Sequence, residues 1–392
     1  MRRREPHDVA IVGGGVVGAA CALALARQGL DVRLLEAARP PAWAAEPADL
    51  RVYAIAPDNA ALLDDLGAWA AVRDTRAQPY RRMRVWDAGG GEPIVFDADA
   101  LARPELGWIV EQGLLVDVLW RALEAAGVRV SCPARVVALE QGDDAATLRL
   151  EDGTGVTARI AIAADGVASP LRRMAGIAAD AHDYAQQGVV GYVRTALPHE
   201  DTAWQRFLPT GPLALLPWVD GACSIVWTLP HDEAARVLAL DDDGFARAIT
   251  TAFDARLGAI EPITRRVAFP LRRQLSASQH AGRVLVVGDA AHAVHPLAGQ
   301  GVNLGLRDVA ALRDAVAGAQ RHGQTWDTPH RLARWARSRR SDNALAAHAF
   351  EGLNRLFSND ALAPTLLRGP LLGLVGRVPP LVDLFWRRAA GG

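Results

Sequence analysis

The sequence predicts an α/β fold in which a nucleotide-binding domain is entered, left and re-entered around a second, β-rich domain. Three observations carry this. The chain opens on a strand, a glycine turn, a helix and a second strand, a βαβ unit of about 30 residues. Its middle part changes to short strands with tryptophans among them, and an unbroken apolar strand pattern returns near residue 285.

Residues 8–12 are an apolar run of strand length. Gly13-Gly14-Gly15-Val16-Val17-Gly18 then leads into an alanine-rich helical pattern that Gly29 caps, and 31–36 reads as the next strand. The prolines of 37–47 mark a loop. A helical pattern covers 59–73, and strand-like runs follow at 83–86 and 94–96. Residues 114–126 are helical up to Gly127, with strands expected at 128–130, 134–140, 146–150 and 159–163. Further strands are expected at 188–195, 213–217 and 223–229, a helix at 243–257, and a strand at 283–287. The expected division is 1–75, 105–180 and 275–340 for the nucleotide-binding domain, 76–104 and 181–274 for the β-rich domain, and 341–392 for a C-terminal helical segment.

Composition removes several chemistries. The chain has 392 residues with 43 basic and 44 acidic side chains, and every basic residue is arginine. Without lysine there is no Schiff-base chemistry, no pyridoxal-phosphate anchor and no P-loop. A net charge of −1 provides no global field for nucleic acid, which is not expected as a partner. Cys21, Cys132 and Cys223 are far apart and lack metal-ligand spacing, which suits free thiols in a reducing cytoplasm. Glu5, Pro6, His7 and Asp8 interrupt the basic start before any apolar run, so a signal peptide is not expected, nor is a spanning helix.

Chemistry is written in three places. Gly13-x-Gly15-x-x-Gly18 follows a strand and opens a helix, and Glu36 ends the next strand. Gly13 allows the turn, Gly15 lets a pyrophosphate approach the backbone, and Gly18 permits close packing of helix on sheet. The helix start offers N–H groups to the anion, and Glu36 can accept hydrogen bonds from ribose hydroxyls. The second place is the strand ending Ala163-Ala164-Asp165-Gly166, with Ser169 and Arg172 beyond it. The third is Gly288-Asp289-Ala290-Ala291-His292 through His295-Pro296 to Gly299-Gln300-Gly301-Val302-Asn303, followed by Asp308. A strand delivers Asp289 to the sheet edge, where its carboxylate can bind polyol hydroxyls. Unpaired N–H groups of a helix starting near Gly301 can face a developing negative charge. His292 and His295 lack the helical i, i+4 spacing of a di-histidine metal site, so no metal is expected and His292 reads as structural. Trp204, Phe207, Trp218 and Trp227 either line an aromatic pocket or form core.

Taken together, the three segments resemble the flavoprotein aromatic hydroxylases built like para-hydroxybenzoate hydroxylase, and within them the ubiquinone-biosynthesis hydroxylases of polyprenylated phenols. The run 288–305 is similar to that family's signature almost letter for letter, and 51–55, 207–217 and 224–227 add to the likeness. The resemblance implies a Rossmann-type FAD-binding domain with a β-rich substrate domain. FAD is then held by Gly13, Gly15, Val16, Val17, Gly18, Glu36, Arg51, Gln112, Asp165 and Asp289. Gly299, Gly301, Val302 and Asn303 lie at the flavin ring, and the backbones of Pro296 and Gly301 serve catalysis. It further implies oxygen transfer from a flavin C4a-hydroperoxide to the ring of a polyprenylated phenol. Relatives often carry asparagine then arginine where this chain has Gln112-Gly113, so that arginine's charge is absent.

No second glycine fingerprint is present, so electrons come from NAD(P)H bound transiently or from a separate reductase. The alternatives are a flavin hydroxylase of a soluble phenol or secondary metabolite, and a non-catalytic flavoprotein-like subunit. Residues 362–392 set Arg368, Arg377, Arg387 and Arg388 against Asp383 among leucines and prolines. That pattern fits either a segment at a membrane interface or over a long apolar ligand, or helices packed on the core. The first suits a cytoplasmic protein peripheral at the inner face of the membrane, near other ubiquinone-biosynthesis proteins.

Overall fold

The computed structural model describes residues 5–90, 92–293 and 301–357, the side chains of 344–357 excepted. The α/β class holds, and two large sheets organise the chain. In the first, parallel strands run in the order Val284–Val286, Gly155–Ala163, His7–Val12, Val32–Leu35 and Arg129–Ser131. The antiparallel hairpin Val136–Gln141 and Ala146–Leu150 adds to Gly155–Ala163. Strands covered on both faces need apolar side chains on both, which is why residues 8–12 show no alternation. Helix Val16–Ala26 lies against this sheet and also packs on helices Gln112–Ala125 and Gly301–Arg321.

Among the described residues the second sheet has nine strands. Its long spine, Ala179–Thr195, pairs antiparallel with Ala222–Pro230 on one side and Val267–Ser276 on the other. Beyond Ala222–Pro230 come Gly211–Pro217, Thr202–Leu208, Arg82–Asp87 and Ile94–Asp97. One face is covered by helices His231–Leu238 and Asp242–Ala252, whose Phe245 and Ile249 join Phe253 over Trp227 and Leu215. The other face meets a small three-stranded sheet of Val52–Ile55, Gly107–Glu111 and Ala77–Tyr80, with a core of Ala54, Tyr80, Ile109, Ala203 and Trp218 between them.

Several elements depart from the expected boundaries. The pattern over 59–73 forms two helices, Pro57–Asp65 and Trp69–Arg76, because Gly67 adopts a left-handed conformation between them. Helix His231–Leu238 was not expected, although the acidic first turn of Asp232 and Glu233 after Pro230 is a start signal. The spine strand begins at Ala179 rather than 188, and the helix expected to reach 257 ends at Ala252. Ala77–Tyr80 pairs with Gly107–Glu111, whereas His292–Ala293 pairs with Gln274 and Leu275 of the second sheet. The final helix, Pro329–Phe357, begins before 341, and segment 362–392 lies outside the described residues.

Candidate active site

The three sequence signatures meet at the C-terminal ends of the parallel strands, where open α/β sheets place their ligands. Gly13 has φ +108°, and a Cβ added there would lie 2.3 Å from the Ala164 carbonyl oxygen, so the glycine turn sits flush against the strand end that carries Asp165. A Cβ at Gly18 would lie 1.9 Å from the Gly13 carbonyl oxygen. At Gly15 the same atom would meet nothing within 4 Å, and Gly15 is exposed. The protein itself therefore needs glycine at 13 and 18, while the openness at 15 is left for something else. Helix Val16–Ala26 starts there with no side-chain cap and no acidic residue in its first turn, so its free N–H groups and positive dipole end remain available to an anion.

Glu36 ends the next strand and accepts the Gly14 N–H on one oxygen and the Ala38 N–H on the other, at 3.0 Å. These two bonds fix the carboxylate and leave lone pairs for ligand hydroxyls. Trp120 Nε1 donates to the Gly14 carbonyl at 2.7 Å and pins the turn from behind. Asp165 is more committed: it accepts from the Ser169 hydroxyl and, at 3.0 Å, from the Leu171 N–H, closing its own turn. Burial pushes its carboxyl above the ordinary range despite those bonds. Arg172 from that turn donates to the Ala290 carbonyl at 2.8 Å, tying the second signature to the third.

Asp289 follows strand Val284–Val286 in a short turn. Solvent reaches its side chain, but protein hems it in and raises its pKa, while the electrostatic influence of the neighbouring His292 and Arg51 opposes the rise. A Cβ at Gly301 would lie 4.0 Å from Asp289 Oδ1, so helix Gly301–Arg321 starts beside this carboxylate. Arg51 Nη1 donates to Gln112 Oε1 at 3.2 Å, Tyr53 OH donates to the same oxygen at 3.0 Å, and the Arg51 guanidinium lies 4.9 Å from the Phe269 ring centre. The Gln112 oxygen is thereby used, and its amide nitrogen forms no hydrogen bond among the described residues. Beside it, the Gly113 N–H donates to Asp49 Oδ2 at 2.9 Å, and a Cβ at 113 would approach that oxygen to 3.2 Å. Asp49 takes the space where a longer side chain at 113 would begin.

The Asn303 side chain serves the fold. Its side chain is fully buried: Oδ1 accepts from the Ala56 N–H at 3.0 Å and from Asn59 Nδ2 at 2.8 Å, and Nδ2 donates to the Ala54 carbonyl at 2.7 Å. It fastens the helix start to strand Val52–Ile55, and its main-chain carbonyl accepts from Asn59 Nδ2 at 3.2 Å as well. The Val302 side chain is likewise core. Pro296 and Gly299 lie outside the described residues.

A buried network beneath Asp289 went unassigned in the sequence. Asp308 accepts from His292 Nε2 at 2.6 Å, the Gly288 N–H at 3.1 Å, Arg339 Nε at 2.9 Å and Asn343 Nδ2 at 3.1 Å. Burial alone would raise its pKa, but the charges and hydrogen bonds of His292 and Arg339 outweigh that and hold it down at about 2. The one available signal was spacing: Asp308 stands seven residues after Gly301, on the same helix face.

Alternation along Val52–Ile55 carries the site through to the second sheet. Arg51 and Tyr53 stand on the side of Gln112, whereas Val52 and Ala54 line an apolar cavity of about 100 Å³. Its other walls are Ile109, Met83 and the inner face of the second sheet. Of the four aromatics, Trp227 and Trp218 are core, Phe207 is buried, and Trp204 borders this cavity.

A parallel sheet with an uncapped glycine turn, an acid at the end of the second strand and a further helix start beside Asp289 has the features of a dinucleotide-binding protein. The model for the family described as FAD binding domain matches residues 6–340. The chain is 40% identical over 361 residues to the 3-demethoxyubiquinol 3-hydroxylase of Escherichia coli, covering 91% of each. It is 38% identical over 386 residues to the ubiquinone hydroxylase UbiL of Rhodospirillum rubrum, covering 98% of this chain and 89% of the other. In structure it is similar to the p-nitrophenol 4-monooxygenase PnpA of Pseudomonas putida, with TM-score 0.78 and 22% identity over 98% of both chains, a likeness of fold. The chain belongs to the FAD binding domain family and, within it, to the ubiquinone-biosynthesis hydroxylases: it is an FAD-dependent monooxygenase. Among the described residues no helix is long and apolar enough to cross a membrane.

Proposed function

We propose that this enzyme hydroxylates the aromatic ring of a polyprenylated phenol in ubiquinone biosynthesis, with O₂ as the second substrate. The observation that carries this reading is an apolar cavity backing directly onto the strand whose other face presents Arg51 and Tyr53. The names of the relatives support it.

The residues present fit FAD: a fold-independent opening at Gly15 and an uncapped helix start suit a pyrophosphate. The N–H groups of Val16, Val17 and Gly18 would hold it, Glu36 the ribose, and Asp289 with Arg51 and the Gln112 amide the linking chain. Asp165 closes the turn that backs Gly13. Main-chain N–H groups from Gly301 to Asn303 would face the pyrimidine edge of the ring, where the helix dipole favours negative charge. Bound FAD supplies the activation of O₂ that no side chain here provides. The protein's share is to hold the ring system and to keep water from the cavity. Electrons come from NAD(P)H or a separate reductase.

Residues 362–392, with four arginines against one aspartate among apolar residues, would dock on an anionic membrane surface, where each arginine near the surface adds about 1 kcal/mol. Purified protein should be yellow with flavin absorbance. Expression in strains each lacking one ring hydroxylase should restore ubiquinone in one of them, and the intermediate that disappears names the ring position. A colourless protein that restores none defeats the reading.

A further inference from the structure

The cavity behind Val52 and Ala54 is apolar except for three side chains. Tyr80, Gln205 and Thr228 are 9%, 7% and 1% exposed, all line the cavity, and none of their side-chain polar groups forms a hydrogen bond among the described residues. Nor do they belong to the polar atoms sealed inside protein, so each polar end keeps some accessible surface, and all three residues line this one cavity. Buried polar groups left without partners are costly and are normally satisfied by water or a ligand.

Their placement is set by the sheets. Gln205 faces Ala214, and Ala214 faces Val226, in one row across the second sheet, with Thr228 one same-face position further along its strand. With about 4.8 Å between neighbouring strands and about 3.4 Å per residue along them, Gln205 and Thr228 stand two strands and two residues, roughly 12 Å, apart. Tyr80 comes from the facing three-stranded sheet. An amide, a hydroxyl and a phenol thus look into one space from opposite walls. No charged side chain lines that space among the described residues. Its volume, about 100 Å³, is of the order of the ~150 Å³ cavity that accommodates benzene.

We infer that Tyr80, Gln205 and Thr228 are the specificity-determining residues of this site, hydrogen-bonding the oxygen substituents of one uncharged aromatic ring. This rests on the proposed function and narrows it. The cavity takes the ring alone, so a prenyl chain must leave it. A ring bearing a carboxylate is rejected, because its charge would be buried without a cation. Rings lacking oxygen leave the three groups unpaired and bind no better than their apolar area allows.

The test is calorimetric titration of the full-length, FAD-loaded protein with 2-methoxyphenol, with toluene, and with 4-hydroxy-3-methoxybenzoate. The variants are Tyr80→Phe, Gln205→Leu and Thr228→Val, each removing a hydrogen-bonding group at similar volume. Each should weaken 2-methoxyphenol about tenfold, the scale of one hydrogen bond, and leave toluene and FAD within about twofold. The benzoate should bind the parent more than about tenfold less tightly than the phenol. The inference is overturned if the parent does not bind the phenol, if the variants bind it like the parent, if toluene weakens in step, or if the benzoate binds equally well. If the titrations behave as expected but no hydroxylase-deficient strain is restored, the three residues stand as ring-binding groups and the proposed pathway falls.

Discussion

At the scale of single residues, the glycines of the first turn have separable duties. Gly18→Ala places a methyl 1.9 Å from the Gly13 carbonyl oxygen, a clash that backbone must yield to, so the variant should be destabilised by several kcal/mol or fail to fold. Gly15→Ala meets no protein atom within 4 Å. It should keep the parent's circular dichroism and melting temperature without cofactor, yet lose at least about tenfold in FAD affinity, read by quenching of flavin fluorescence. A Gly15→Ala protein that binds FAD like the parent would place the pyrophosphate elsewhere. The need for glycine at 13 and 18 was legible in the sequence, because a turn of this spacing between strand and helix admits few conformations. What was not legible is which polar atoms are already spent. The Asn303 amide bonds Ala54, Ala56 and Asn59, and those partners stand more than 240 positions away.

At the scale of elements, the site exists because two helices begin beside one strand end. A Cβ at Gly305 would lie 2.6 Å from Val17 Cγ2 and 3.0 Å from the α-carbon of Gly288, so the two helix starts touch through a glycine. Gly305→Ala should cost about 1–3 kcal/mol by overpacking, measured by urea unfolding, and should weaken FAD as the helix starts move apart. Adding Val17→Ala should return part of that stability and no more, since the new methyl still presses on the Gly288 backbone. Asp308 performs the equivalent task with charge, joining the segment around Asp289, through Gly288 and His292, to helix Pro329–Phe357, through Arg339 and Asn343. Its folded-state pKa of about 2 lies below the ordinary carboxylate value of 3.8. The stability it contributes is therefore fully present above about pH 4 and is lost as pH falls towards 2. In acid titrations followed by circular dichroism, Asp308→Asn should be less stable than the parent at pH 7, the difference shrinking through that window. A buried ion group broken from one side costs about 3–5 kcal/mol, so the gap at pH 7 should be of that size. A pH-independent gap would mean that the carboxylate's charge is not what holds the network.

At the scale of the whole molecule, cofactor binding and folding are one equilibrium, because the FAD contacts proposed here come from residues scattered between 13 and 303. Saturating FAD at about 100 times its dissociation constant should add about 2.7 kcal/mol to the parent's stability, seen as a rise in melting temperature, and much less to Gly15→Ala. The same scatter explains what reading along the chain can and cannot reach. The sequence by itself determined the α/β class, the glycine turn with Glu36, the Asp-Gly turn at 165 and the strand that delivers Asp289. Each of these depends on residues close together in the chain, where periodicity and turn chemistry act. Only the tertiary structure decided that Asp49 fills the space beside Gly113, that Asp308 and Arg339 brace the turn before Asp289, and that Tyr80, Gln205 and Thr228 face one cavity. The physical reason is that hydrogen bonding and burial are properties of neighbours in space. Strands from three separate stretches of the chain, in two facing sheets, had to be brought together before an ordinary tyrosine, glutamine and threonine became three unpaired groups around one space.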